Sequence, residues 1–279
     1  MLRTAGALVR STHPGPTLAV TVITVILGIG VGLDPWRLVV LGLAMILGQV
    51  SVGLSNDWID ADRDRAVGRR DKPVASGQLA DSTARNAAVV CAIAAVIVTI
   101  PLGPAATVAH AVFIVSAWAY NAGLKSTPLS VLPYVISFGL LPLIVTLSRG
   151  EPAVASAWAV LAGSLLGVSA HFANVLPDLA DDEATGVRGL PHRVGLRGSG
   201  LVIAGSLGGA SVSIVLGPGP AAALQYGGLA FSLLLAVVCA VLVMRARASQ
   251  LIFRLIIAAA LLDVVLLATS GARLLASLH

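Results

Sequence analysis

NDWIDADRDRAVGRRDKPVASG, Asn56 to Gly77, interrupts a chain built mostly from Ala, Val, Leu, Ile and Gly. Of the 13 acidic residues in 279, five lie inside this stretch: Asp57, Asp60, Asp62, Asp64 and Asp71. The chain as a whole is 57% hydrophobic and 11% charged. A soluble domain carries roughly 25% charged residues, and no water-soluble fold hides this much apolar surface. The surrounding solvent is therefore largely lipid.

On either side of the stretch, apolar windows of spanning length follow one another. Nine are predicted, near 17–33, 37–56, 84–101, 105–121, 130–148, 153–177, 199–216, 221–244 and 251–277. Strand alternation is absent, which argues against a β-barrel. The expected fold is an all-α membrane protein of nine transmembrane helices in a single bundle, one domain over 1–279. Two long loops, 57–83 and 178–198, fall on the same side. Of the 18 Lys and Arg residues, only Arg37, Arg149 and Arg273 fall on the opposite side. By the positive-inside rule the N-terminus and both long loops are cytoplasmic in a multi-pass cell-membrane protein. The net charge of +5 is scattered between spans, which suits anionic lipid headgroups and argues against nucleic acid. Cys91 and Cys239 lie inside apolar runs and read as core residues. The basic N-terminal segment has no cleavage site, so no cleaved signal is expected.

Ten of the acidic residues fall in the two long loops. Beyond the five above these are Asp81, Asp178, Asp181, Asp182 and Glu183. Asp57 and Asp178 are 121 positions apart, and each follows the end of a predicted span. The spacing suggests two weakly similar units of about four helices, around 37–148 and 153–277.

Asn56, Asp57, Asp60 and Asp64 follow N-D-x-x-D-x-x-x-D. On a continuing helix Asn56, Asp60 and Asp64 share one face, with Asp57 beside them. Carboxylates stacked a turn apart repel one another, and a hard divalent cation relieves that repulsion. Oxygen ligands without His or Cys point to Mg²⁺. In the second loop Asp178, Asp181 and Asp182 stand at i, i+3 and i+4, and His171 and Asn174 extend the same face deeper. Mg²⁺ typically takes one or two carboxylates plus substrate phosphates. Two acidic walls at the end of an apolar bundle thus fit a diphosphate carrying a hydrocarbon tail. Arg70, Lys72, Lys125 and Arg188 are candidate phosphate contacts. Asp62 and Asp81 read as solvent-facing.

These features together resemble the UbiA superfamily of membrane prenyltransferases, over nearly the whole chain. RRDKPVASG (Arg69 to Gly77) is similar to that family's R-x-x-R-P-L-P-S-G segment, with Lys72 in place of the second Arg and Ala75 in place of the second Pro. Lys72 keeps a point charge and loses the bidentate fork. DDEATGVRGLPHRVG matches D-x-x-x-G-x-x-x-L-P-x-x-x-G through Asp182, Gly186, Leu190, Pro191 and Gly195. YNAGLK, Tyr120 to Lys125, is similar to the family's Tyr-plus-Lys segment. The resemblance implies that Asn56, Asp57, Asp60, Asp64, Asp178 and Asp182 bind Mg²⁺ and a prenyl diphosphate. It adds Ser76 to the diphosphate contacts and Tyr120, His171 and Asn174 to the substrate pocket. The implied reaction moves a prenyl chain to a lipophilic, aromatic or lipid, acceptor. Two alternatives use the same motifs: cyclisation of the prenyl chain, and phosphoribosyl transfer to a polyprenyl phosphate. A cation transporter would instead place its acids at mid-membrane, where this sequence has Asp263 alone.

Overall fold

The computed structural model describes residues 2–179, 186–244 and 250–276. Among them all regular structure is helical, apart from one antiparallel bridge between Ala155 and Leu275. Two helices are short: α1 (Leu2–Ser11) and α4 (Ala61–Ala66). Nine longer ones overlap the nine predicted windows. They are α2 (Pro14–Gly30), α3 (Pro35–Ile59), α5 (Asp81–Thr99), α6 (Pro104–Asn121), α7 (Leu132–Leu147), α8 (Ala157–Val175), α9 (Leu190–Leu216), α10 (Ala223–Met244) and α11 (Gln250–Thr269).

Not all nine meet the demands of a bilayer crossing by length and composition. Among the described residues five do so: α3, α5 with its 3₁₀ extension to Leu102, α8, α9 and α10. A sixth span arises if α1 and α2, bent by 58° at their junction, count as one. Helix α7 has only 16 residues, about 24 Å at helical rise, and is among the shorter apolar helices.

Proline sets several helix starts. Pro14, Pro35, Pro104, Pro133 and Pro191 occupy first-turn positions, where no intrahelical N–H is required. Inside the bundle, several hydroxyls return to their own helix rather than meet hydrocarbon unpaired. Thr24 donates to the Val20 carbonyl, Thr99 to Ala95 and Ser148 to Ile144.

The helices close into a ring. Helix α3 packs on α2, α5 and α6; α6 on α7; α7 on α8; α8 on α9; α9 on α10 and α11; and α11 returns to α2. Glycine permits the closest contacts. A Cβ at Gly163 of α8 would lie 2.5 Å from the Phe138 carbonyl oxygen of α7, and one at Gly30 of α2 would lie 2.6 Å from the Ala268 carbonyl of α11. At the loop end a small separate core of Ala7, Ala61, Val74, Leu79 and Ala84 anchors α1 and the 67–80 segment onto the bundle. Many outward side chains, such as Val90, Val115 and Leu234, are apolar and exposed, as lipid-facing surface requires.

Candidate active site

Helix α3 runs through Asn56 and Asp57 and ends at Asp60, where α4 begins. The Asp60 N–H still donates to the Asn56 carbonyl and the Asp64 N–H to the Asp60 carbonyl. The i, i+4, i+8 register therefore survives the junction, and the three side chains stay on one side. Asp57, Asp60 and Asp64 are all buried, at 2%, 5% and 3% exposure. The Asp62 side chain, one step off that register, is 98% exposed and pairs with Arg65.

Buried carboxylates need compensation, and basic side chains from other elements supply it. The Lys72 ammonium lies 3.5 Å from Asp57 and 3.0 Å from Asp64. Lys125, in the connection after α6, pairs with Asp60. Arg63 reaches Asp60 at 2.9 Å. Burial pushes the Lys125 ammonium below its ordinary value, opposed by the charge of Asp60. His13 Nε2 meets Asp57 Oδ1 at 2.9 Å. Asn56 is held by Asn121, which itself donates to the Val52 carbonyl and Ser55 Oγ of α3.

These groups stand at the mouth of a cavity of about 1030 Å³. It passes between aromatic side chains (Tyr120, Tyr134, Phe138) and ends among Leu27, Leu141 and Leu267. Tyr134 and Phe138 stack at 6.1 Å, and Tyr120 meets Tyr134 edge-on at 5.2 Å.

The cavity brings together eight of the residues singled out from sequence: Asn56, Asp57, Asp60, Asp64, Lys72, Tyr120, Lys125 and Asn174. Arg70 and Ser76 instead line a separate shallow pocket of about 400 Å³, with Arg65, Arg69 and Gln78. His171 is buried behind the wall, its Nε2 3.0 Å from Ser130 Oγ and its ring edge-on to Tyr120. Arg188 is exposed, between the cavity-lining Val187 and Gly189. Asp178 ends a 3₁₀ turn, Leu176–Asp178, directly after α8. Its side chain, and Asp181, Asp182 and Glu183 as whole residues, lie outside the described residues.

Several lining residues carried no sequence signal. His13 occupies a left-handed conformation (φ 50°) at the α1–α2 bend, and no spacing links it to Asp57. Arg10, Arg63 and His192 also line the cavity. Gln49 and Ser169 do so deeper, inside apolar runs that betray nothing of their placement.

Among the described residues no three Asp, Glu, His or Cys side chains converge as a metal centre. The donor set nevertheless fits a hard cation. It is all oxygen and faces one cavity, and Asp64 Oδ2 is buried without a hydrogen bond although Lys72 lies near.

The chain was then compared with known proteins. No curated protein matches it. The profile of the UbiA prenyltransferase family matches residues 17–268. A UbiA homologue from Archaeoglobus fulgidus, solved with GPP and Mg²⁺, is 14% identical with a TM-score of 0.73, covering 95% of this chain and 99% of that one. The structure of a digeranylgeranylglyceryl phosphate synthase is 15% identical with a TM-score of 0.68, covering 98% and 99%. An apo UbiA homologue from Aeropyrum pernix K1 is 15% identical with a TM-score of 0.68, covering 94% and 97%. At these identities the structures speak for the fold. The family profile spans most of the sequence, including the first acidic motif and the segment that carries the second, so the chain belongs to the UbiA prenyltransferase family and is a prenyl-transferring enzyme.

Proposed function

We propose that this enzyme moves a prenyl chain from a polyprenyl diphosphate to a lipophilic acceptor within the membrane, using Mg²⁺ and releasing diphosphate. One observation carries the reading. Three buried carboxylates and two lysines crowd the mouth of a cavity whose far end is apolar. A diphosphate fits the mouth and a hydrocarbon tail fits the depth. The homologue solved with GPP and Mg²⁺ supports the same pairing of ligand and fold.

Asp57, Asp60 and Asp64, with Asp178 and Asp182 of the second loop, are the proposed Mg²⁺ ligands. When bound, Mg²⁺ supplies positive charge where negative charge builds on the departing diphosphate. Lys72 and Lys125 add fixed positive charge at the same place, and Asn56 positions the leaving oxygen. As the C1–O bond breaks, its electron pair leaves with diphosphate and allylic cation character develops at C1. The acceptor nucleophile attacks C1 and gives up its proton to a carboxylate at the mouth of the cavity. The apolar wall below keeps water from trapping the cation. Tyr120 and Asn174 complete the substrate pocket, with His171 buttressing Tyr120 from behind. Arg188 beside the second loop, and Arg70 and Ser76 on the outer rim, are proposed to guide the diphosphate inward.

The N-terminus and the acidic loops are proposed to face the cytoplasm, from the charge asymmetry of the loops. The deciding experiment incubates the reconstituted enzyme with labelled prenyl diphosphates and candidate acceptors, with and without chelator, and identifies products by mass. Undiminished transfer under chelation, or diphosphate release with no prenylated acceptor in any combination, would sink the reading.

A further inference from the structure

The connection between α6 and α7 buries Ser130 completely, at 0% exposure and behind the cavity rather than along it. Its hydroxyl joins three elements. The Leu190 N–H, the first of α9, donates to Ser130 Oγ at 2.9 Å. On another side Ser130 Oγ lies 3.0 Å from Nε2 of His171 on α8. A hydroxyl has one proton and two lone pairs. With Leu190 taking a lone pair, the proton is directed to His171 Nε2, and all three groups are satisfied.

Helix starts leave their first N–H groups without partners inside the helix. Gly189, in the cap position of α9, has no side chain to offer, so the cap comes from a different element. Gly189 also lets that element approach. A Cβ there would lie 2.5 Å from the Lys125 carbonyl oxygen and 2.9 Å from Ser130 Oγ. Lys125 belongs to the same connection as Ser130, five residues earlier, and its ammonium pairs with Asp60 at the end of α3.

One hydroxyl thus fixes the start of α9 against the connection that presents Lys125. Val187, Gly189, Pro191 and His192, around that start, line the cavity. It also holds the His171 ring, which packs on Tyr120 at 5.7 Å and on Tyr134 at 5.0 Å. Sites that stabilise charge depend on such supporting contacts, because a misplacement of about 1 Å is costly. We propose that Ser130 is a positioning residue for diphosphate binding. It sets the α9 side of the cavity at a fixed distance from Lys125 and Asp60. This rests on the reading of the cavity mouth as a prenyl diphosphate site. It adds which residue holds the two sides of that mouth together.

The test is calorimetric binding of geranyl S-thiolodiphosphate, with excess Mg²⁺, to the full chain in detergent. Hydrogen exchange at Leu190 and thermal melting are followed on the same preparations. Ser130→Ala is expected to weaken binding about tenfold, the scale of one lost buried hydrogen bond, and to speed exchange of the Leu190 amide. Ser130→Thr keeps the hydroxyl and should restore both. A purely structural serine would lower the melting temperature and leave the affinity of the folded protein unchanged. Ser148→Ala gives that reference, since Ser148 is equally buried at the far end of α7 and bonds to the Ile144 carbonyl. Gly189→Ala drives the start of α9 off an intact hydroxyl, so it reports if Ser130→Ala fails to fold, and it should weaken binding likewise. Wild-type affinity in folded Ser130→Ala or Gly189→Ala, unchanged exchange at Leu190 in Ser130→Ala, or a loss that Ser130→Thr does not restore overturns the positioning role and leaves the reading of the mouth intact. A wild type that does not bind the probe refutes that reading and leaves Ser130 nothing to position.

Discussion

The Lys72 ammonium lies 3.0 Å from Asp64 Oδ2, a buried oxygen that accepts no hydrogen bond. Lys72 also faces Asp57 and is only 14% exposed, so it is the common counter-charge for two buried acids. Removing one partner of a buried pair typically costs about 3–5 kcal/mol, because the other charge is left uncompensated. Lys72→Met is expected to lower both thermal stability and transfer. Lys72→Arg is expected to retain stability with reduced turnover, since the planar fork cannot sit between two carboxylates as a point charge does. Melting in detergent and initial rates measured on one preparation separate the two effects.

Asp60, Asp62 and Asp64 provide an internal control within five residues. Asp60→Asn and Asp64→Asn are expected to reduce transfer by about a hundredfold or more, the scale on which charge-stabilising groups act. Asp62→Asn, on the exposed face, should stay within about twofold, as surface substitutions do. Equal losses at all three positions would mean that the acidic stretch acts as a diffuse charged surface rather than through oriented side chains.

The floor of the cavity sets a length limit. The face of α2 that lines it runs from His13 to Leu27, about 21 Å at helical rise. Just below, Gly30 of α2 meets the backbone of Ala268 on α11 and closes the space. Leu27→Trp is expected to cut the rate with four-unit prenyl diphosphates about tenfold relative to two-unit ones. A competition assay with mixed donors gives that ratio directly. An unchanged ratio would show that the tail leaves sideways between helices instead of reaching the floor.

Glycine contacts hold the wall opposite α3. At Gly163 a Cβ would fall 2.5 Å from the Phe138 carbonyl oxygen, which is backbone and has little freedom to yield. Gly163→Ala is expected to destabilise by about 1–3 kcal/mol, the usual cost of overpacking. It also separates α7 from α8 and so widens the cavity. Gly205→Ala, where a Cβ meets nothing within 4 Å, should be neutral. Inactivation half-lives in detergent compare the two.

Much of this arrangement is legible in the sequence because lipid enforces simple rules. Apolar runs must become helices, and each predicted window overlaps one, although among the described residues only five or six are long and apolar enough to cross a membrane. Period alone separates buried Asp60 and Asp64 from exposed Asp62, because the helical register carries through the α3–α4 junction. What escapes the sequence depends on bends and turns. His13 reaches Asp57 only because α1 and α2 meet at 58° around a left-handed residue. Arg70 and Ser76 flank Lys72 in sequence, but the turns around Pro73 direct them to the outer pocket. Asp263 invites a functional reading as a mid-helix acid. It lies off the cavity and accepts hydrogen bonds from Ser211 at 2.7 Å and Ser232 at 3.1 Å, which ties three helices together. Gln49 and Ser169 look like ordinary small interruptions of apolar runs until the ring closes around them.

The pairing of Asp57, Asp60 and Asp64 with Arg63, Lys72 and Lys125 makes the mouth of the cavity an ion exchanger. Among the described residues these three carboxylates and three cations are already paired with one another before any ligand arrives. A divalent cation alone must compete with fixed ammonium groups for the carboxylates, and a diphosphate alone must compete with carboxylates for the same ammonium groups. Arriving together, each ligand frees the partner that the other needs. Cation and prenyl diphosphate should therefore each bind weakly alone and strengthen one another by the same factor.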